Sequence, residues 1–204
     1  ESTQPLTPLD TLIHKQPEFK KKESPLHKLK KVSQLENDHF VKKYIENRRI
    51  PVSKHYKLYY APKFNQWVNS MIPGKMPRDN DEPRLVLPFI DTDGKMFGFQ
   101  GRALRSSSLR YITIMLDEYM PKIFGLDTCD FSKRYYVVEG PIDSLFLSNS
   151  VAMAGADGNG SGLSNTQNGV FIFDNEPRNK EVCKLIENAI KSNHDVVIWP
   201  DDMD

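Results

Sequence analysis

Arg134-Tyr135-Tyr136-Val137-Val138-Glu139-Gly140-Pro141-Ile142-Asp143 is the stretch on which the fold turns. Its Val- and Tyr-rich beginning predicts a buried strand over 134–138. Pro141 cannot continue a strand ladder but suits the first turn of a helix, predicted over 141–149. The same rhythm recurs downstream, with strands at 151–154, 170–173 and 195–199, a helix over 177–191 and a Gly-rich loop running through Gly162. Apolar strands alternating with helices imply a parallel sheet with crossover helices, hence an α/β fold for residues 134–204.

Carboxylates fall where the strands of this segment end. Glu139 follows the first strand, Asp174 and Glu176 follow the third, and Asp201, Asp202 and Asp204 follow the last. In an open parallel sheet the residues beyond the carboxyl ends of the strands share one crevice. Crowded carboxylates repel unless a cation neutralises them. An all-oxygen donor set without His or Cys suits Mg²⁺, with Mn²⁺ as a substitute. Glu139, Asp174, Glu176, Asp202 and Asp204 are therefore the candidate ligands. Asp143, one helical turn beyond Glu139, faces the same side. The alternative for Glu176 is a simple complement to the dipole of the helix expected at Pro177.

Working upstream, the pattern changes to α+β. Phe40, Val41, Tyr44 and Ile45 share one face and predict a helix from Ser33 to about Arg49, stopped by Pro51. Residues 84–90 and 96–100 predict a hairpin closed by Asp91-Thr92-Asp93-Gly94, from which Gly101 and Arg102 emerge; a shorter strand follows at 111–114. The aromatics Tyr56, Tyr59, Tyr60, Phe64 and Trp67, interleaved with Lys54, Lys57 and Lys63, read as core or as a stacking surface for single-stranded bases. Residues 1–31, rich in Pro and Lys, read as a linker or extended basic arm. The resulting organisation is an arm over 1–31, a basic subdomain over 32–133 and an acidic α/β subdomain over 134–204.

Charge follows the same division. Residues 134–204 hold 5 Lys/Arg against 11 Asp/Glu, whereas residues 1–133 hold 23 against 16, although the whole chain of 204 residues is nearly balanced at +1. A basic half joined to an acidic half suggests a polyanion on one side and cations on the other. The two cysteines, Cys129 and Cys183, support neither a disulfide framework nor a zinc ribbon, and no apolar run is long enough for a membrane span, which points to the cytoplasm. The start at Glu1 and the end within an acidic cluster are expected to mark a fragment.

Glu139-Gly140-Pro141-Ile142-Asp143 and Asp174-Asn175-Glu176 resemble the TOPRIM domain, which carries a Glu after its first strand and an acidic pair, usually Asp-x-Asp, after its third. The chain differs in having Asp-x-Glu. Upstream, the segments starting at Met96, Arg110 and Lys122 resemble the basic region of bacterial replicative primases. Blocks beginning at Glu82, Phe99, Tyr111, Glu139 and Asp174 resemble still more the primase subunit of T-even-like bacteriophages. The resemblance implies a DNA primase making RNA primers from ribonucleoside triphosphates on a single-stranded DNA template, with a replicative helicase as its primosome partner. It implies zinc only in a family domain that this chain does not include. Arg102, Arg110 and Lys122 would hold the triphosphate or the template. Gly101 would let backbone approach a ligand, and Gly155, at a strand end, would offer its N–H to phosphate. Glu139 is then a metal ligand or a general acid/base. The other readings are a TOPRIM nuclease, or a noncatalytic nucleic-acid-binding module.

Overall fold

The computed structural model describes residues 24–155, 163, 168–176 and 178–200. Two five-stranded sheets organise the chain into a mixed α/β fold. The first is antiparallel, in the order β1-β2-β3-β4-β5: β1 (Lys30–Lys31), β2 (Tyr59–Ala61), β3 (Arg84–Ile90), β4 (Met96–Ala103) and β5 (Tyr111–Met115). The second has the order β10-β9-β7-β8-β6, from β6 (Ile123–Phe124), β7 (Tyr135–Val138), β8 (Ser150–Met153), β9 (Gly169–Ile172) and β10 (Asp195–Val196). Strands β7 to β10 run parallel and β6 joins β8 antiparallel. Each expected strand has a counterpart, although β10 stops at Val196 rather than Trp199, and β1, β2 and β6 are strands that the sequence did not predict, β1 lying in the stretch expected to be an extended arm. The described helices are α1 (Phe40–Asn47), α2 (Phe64–Asn69), α3 (Pro141–Ser144) and α4 (Lys180–Lys191), with 3-10 turns at Pro25–Lys28, Val32–Gln34 and Val52–Lys57.

The β3–β4 hairpin shows how the sequence sets the register. Asp91 Oδ1 accepts the N–H groups of Asp93 and Lys95 at 3.0 and 2.8 Å, and Gly94 takes φ +80°. That is an Asx-type turn closed by the residue that tolerates a positive φ. Phe89 pairs with Gly98 and Ile90 with Met96, so Phe97 is the extra residue of a β-bulge. Beyond the bulge Phe99, Gly101 and Ala103 face one side of the sheet, and Gln100 and Arg102 the other.

Two clusters fill these sides. Phe64, Trp67, Val86 and Phe99 pack on one. On the other, Leu85, Leu87, Phe89 and Phe97 share a core with Val41 and Ile45 of α1 and with Phe124, Val138, Ile142, Leu145 and Ala152 of the second sheet. This shared core fixes α1 and the Gln100/Arg102 face of β4 opposite the carboxyl end of β7.

Several boundaries differ from expectation. Strand β4 does not end at Gln100 but runs to Ala103, so Arg102 lies within the strand, next to its last residue, paired with Leu85 and Tyr111 rather than leaving a hairpin. Helix α1 begins at Phe40, not Ser33, because His39 caps it through Nδ1 and the Val41 N–H. Helix α3 is only four residues long. Helix α4 starts at Lys180, where Asn179 Oδ1 accepts the Glu181 N–H, three residues later than the position that proline suggested. The residues 1–23 of the basic arm, most of the Gly-rich loop, Pro177 and Asp201, Asp202 and Asp204 lie outside the described residues.

Candidate active site

Chain order around β7 creates the cleft. From β7 the chain moves to β8 on one side, then returns to β9 on the other, so the strand order reverses between β7 and β9. Such a reversal splays the crossovers apart and opens a crevice beyond the strand ends. Glu139 leaves β7 there, and Asp174 follows Phe173 just after β9. Glu139 Oε1 accepts the Asp174 N–H at 2.9 Å, tying the two strand ends together. Past β10, Val197 donates to the Phe171 carbonyl at 2.8 Å and the Trp199 indole N–H to the Phe173 carbonyl at 2.7 Å. These bonds keep the third acidic run's approach beside Asp174 as far as the described chain goes.

A cavity of about 360 Å³ opens at this point, and its walls come from both sheets. Glu139, Asp143 and Asp174 form the acidic wall; Arg48, Arg102 and Arg110 form the basic one, with Gln100 and Tyr111 between them. Burial raises the Glu139 carboxyl above the ordinary glutamate range, and the neighbouring Asp174, Glu176 and Asp143 push it further, against the lowering effect of the Asp174 N–H. Burial likewise raises Asp143, helped by Asp174 and opposed by Arg102 and Arg48. Glu139 therefore feels three other acids, and Asp143 feels Asp174 on one side and two arginines on the other. Gly140 lets this happen, since a Cβ there would overlap the Asp143 carboxylate.

Arg102 departs most from expectation. Its residue is 3% exposed. Nε donates to the Tyr44 hydroxyl at 2.6 Å, Nη1 donates to the Tyr111 hydroxyl, and the guanidinium lies 4.8 Å from the Tyr111 ring centroid. The Tyr44 oxygen also accepts Arg48 Nε at 3.0 Å. Rather than emerging from the hairpin, Arg102 is a buried side chain with two fixed partners that still lines the cleft. Gly101 also differs, because the space beside its Cα is filled by the Phe64 ring rather than left for a ligand. Arg110 is exposed and over the Tyr111 ring at 5.6 Å. Lys122 is half-buried at β6, where its carbonyl accepts the Ala154 N–H, and it does not belong to the cleft wall. Gly155, at φ +73°, follows β8 and also stands apart from that wall.

Glu176 is exposed, and its Oε2 accepts Asn179 Nδ2 at 2.5 Å. Asn179 caps α4, so Glu176 stands three residues before that cap, where its carboxylate holds the capping side chain and is not on the cleft wall. Arg48 and Gln100 on the cleft wall, and Tyr44 behind it, are side chains that the sequence did not single out. The available signal for the first was the Tyr44–Arg48 spacing of four, which puts both on one edge of α1. Among the described residues, no three Asp, Glu, His or Cys side chains gather closely enough to hold a metal ion. The donors are of the right kind for a hard divalent cation, being carboxylates at adjoining strand ends, but Asp202 and Asp204 lie outside the description.

The fold places the chain in a class. It superposes on the E. coli primase catalytic core with a TM-score of 0.63 at 19% identity, over 87% of this chain and 71% of that one. A primase catalytic domain solved bound to single-stranded DNA gives 0.62 at 19% identity, over 87% and 69%. The architecture is that of bacterial primase catalytic cores. In sequence, the chain is 35% identical over 188 residues, 92% of its length, to the DNA primase of Enterobacteria phage T4. It spans 54% of that relative's length. No family model matches the chain.

Proposed function

We propose that this chain is the catalytic part of a TOPRIM-type DNA primase, joining ribonucleotides into a short RNA primer on single-stranded DNA. The observation that carries the reading is the cleft at the β7/β9 reversal, where Glu139 and Asp174 face Arg48, Arg102 and Arg110. The likeness to a phage primase along most of the chain and the primase-core fold support it.

Primer extension is attack of a 3′-hydroxyl on the α-phosphorus of an incoming ribonucleoside triphosphate, with release of pyrophosphate. Residues 32–133 supply the basic wall and residues 134–204 the carboxylates. Arg48 and Arg102, held by a common tyrosine oxygen, present a fixed pair of guanidiniums for phosphate oxygens, which they can bind bidentately. Arg110, exposed at the mouth, is placed for the template or the triphosphate tail. Glu139 and Asp174, with Glu176 and with Asp202 and Asp204 from beyond the described residues, would hold Mg²⁺, which when bound neutralises charge developing on the phosphoryl oxygens. A raised carboxyl such as Glu139 also suits a group that takes the proton of the attacking hydroxyl. Asp143, facing Arg102 and Arg48 across the cleft, offsets part of their charge. Bacteriophage-type replication, a helicase partner and the host cytoplasm are the setting this reading implies; no helix among the described residues is long and apolar enough to cross a membrane.

Incorporation of labelled ribonucleotides on a single-stranded DNA template, with and without Mg²⁺, tests the proposal. Metal-dependent, template-dependent incorporation that Glu139→Gln abolishes is the expected result. Degradation of the template instead would make the chain a nuclease. Template binding with neither reaction would make it a binding module.

A further inference from the structure

We infer that Arg84 is a positioning residue: from the far side of the first sheet it holds the backbone that carries Arg102 and Arg110 into the cleft, and thereby sets the grip of the site on the triphosphate of the incoming nucleotide. The inference rests on the primase reading above.

Arg84 opens β3 and is 4% exposed. Its cross-strand partner is Ala103, on the side of the sheet opposite to Gln100 and Arg102. There the guanidinium lies 5.6 Å from the Phe64 ring centroid, and it has no place on the cleft wall. Burial pulls Arg84 below the ordinary arginine range, with Glu82 opposing. A charge so placed must be hydrogen-bonded. The ion pair is long, with Glu82 Oε2 3.8 Å from Nη2, and backbone carbonyls complete the shell. Nη1 donates to the Leu109 carbonyl at 2.8 Å and to the Gly101 carbonyl at 3.3 Å. Nη2 donates to Ser107 Oγ at 3.4 Å, and that hydroxyl donates to Glu82 Oε1 at 3.2 Å.

The two carbonyls immediately precede Arg110 and Arg102, both on the cleft wall. Arg102 has fixed partners of its own in Tyr44 and Tyr111. Arg110 is exposed, at the end of a segment in which Arg105, Ser106, Ser108 and Leu109 are exposed too. Arg84 fixes the peptide plane before Arg110 through the Leu109 carbonyl. The Ala103 N–H fixes the plane after it, donating to the Arg110 carbonyl at 3.0 Å. With both planes held, the two soft backbone torsions of Arg110 are set, and its guanidinium stands 5.6 Å from the Tyr111 ring centroid. Arg110 shares the cavity with Glu139 and Asp174, and a hard cation on such carboxylates is shared with substrate phosphates, so the phosphate that Arg110 meets there is that of the incoming nucleotide. A guanidinium aimed in advance forfeits less freedom when it binds.

The test is a double-mutant cycle between Arg84→Met and Arg110→Ala in the whole chain, read by the affinity for ATP with Mg²⁺ in calorimetry and by the KM for ATP in primer synthesis. Arg84→Met should weaken ATP binding and raise KM by about tenfold, the scale of one hydrogen bond to a charged group, with kcat changed by less than about twofold. In the Arg110→Ala background the same substitution should have no further effect. A loss of equal size in both backgrounds would make Arg84 merely structural and overturn the inference. So would parental ATP affinity in Arg84→Met, or a change confined to template affinity. Each protein is measured below its melting transition. Should Arg84→Met fail to fold, Ser107→Ala takes its place in the cycle under the same criteria, with a loss of about threefold, because it keeps the guanidinium and removes one of its acceptors on the segment. Coupling in ATP affinity without primer synthesis would remove the primase reading and leave the positioning role; primer synthesis with additive losses would do the reverse.

Discussion

Tyr44 and Arg102 are joined by a hydrogen bond of 2.6 Å, from the buried guanidinium Nε to the phenol oxygen, and the same oxygen accepts Arg48 Nε at 3.0 Å. One hydroxyl thus fixes two cleft arginines that come from different elements, α1's end and β4. Tyr44→Phe keeps the ring against the core but leaves a buried charged donor without its acceptor. A loss of stability of about 2 kcal/mol is expected, the usual scale for a hydrogen bond to a charged group. Primer synthesis should fall further than the melting temperature explains, because both guanidiniums lose their aim. Thermal melts and single-turnover incorporation measure the two effects.

Arg102→Ala should destabilise the fold as well as impair catalysis. Arg102 is 3% exposed, and its removal takes a donor from the Tyr44 and Tyr111 hydroxyls and a neighbouring positive charge from Asp143. A cost of roughly 2–3 kcal/mol follows from breaking a buried network. Arg102→Lys should recover only part of it, because an ammonium cannot reach both tyrosines in the guanidinium's planar arrangement. Denaturant titration of the three proteins checks the order.

Glu139→Gln should raise stability at neutral pH and leave it unchanged in acid, when measured with a chelator present. The Glu139 carboxyl is raised in the folded chain, first by burial and then by its acidic neighbours. A folded state with the higher pKa binds more protons, so stability falls as pH climbs from the unfolded to the folded value. Glutamine keeps an acceptor for the Asp174 N–H and removes the charge. Equal melting temperatures of variant and parent across the whole pH range would contradict this.

Gly101→Ala should fold poorly without touching the cleft. Its Cβ would overlap the Phe64 ring, which sits among Trp67, Val86 and Phe99. Overpacking of this kind costs about 1–3 kcal/mol. The expected result is a lowered melting temperature with phosphate and template affinity preserved at a temperature where the variant is folded.

Addition of Mg²⁺ or Mn²⁺ should raise the melting temperature, since an ion bound only by the folded chain stabilises it by mass action. Asp174→Asn should blunt that rise, because Asp174 lies where the β7 and β9 ends meet. An undiminished metal-dependent shift in the variant would remove Asp174 from the ion's surroundings.

The sequence by itself determined the alternation of strands and helices after residue 134, the β3–β4 hairpin and the clustering of Glu139 and Asp174 at strand ends. Each of these is local: periodicity, turn chemistry and the position of a carboxylate relative to an apolar run are written within a dozen residues. Boundaries were less legible, since the starts of α1 and α4 depend on the caps His39 and Asn179 rather than on Ser33 or Pro177. What only the tertiary structure decided is which residues meet across the two sheets. The bulge at Phe97 sets which side Gln100 and Arg102 face, the shared core sets what stands opposite, and so Tyr44, fifty-eight residues away in sequence, becomes the partner of Arg102. Burial is a property of the assembled core, and an arginine near a strand end reads as exposed until the residues that cover it are known.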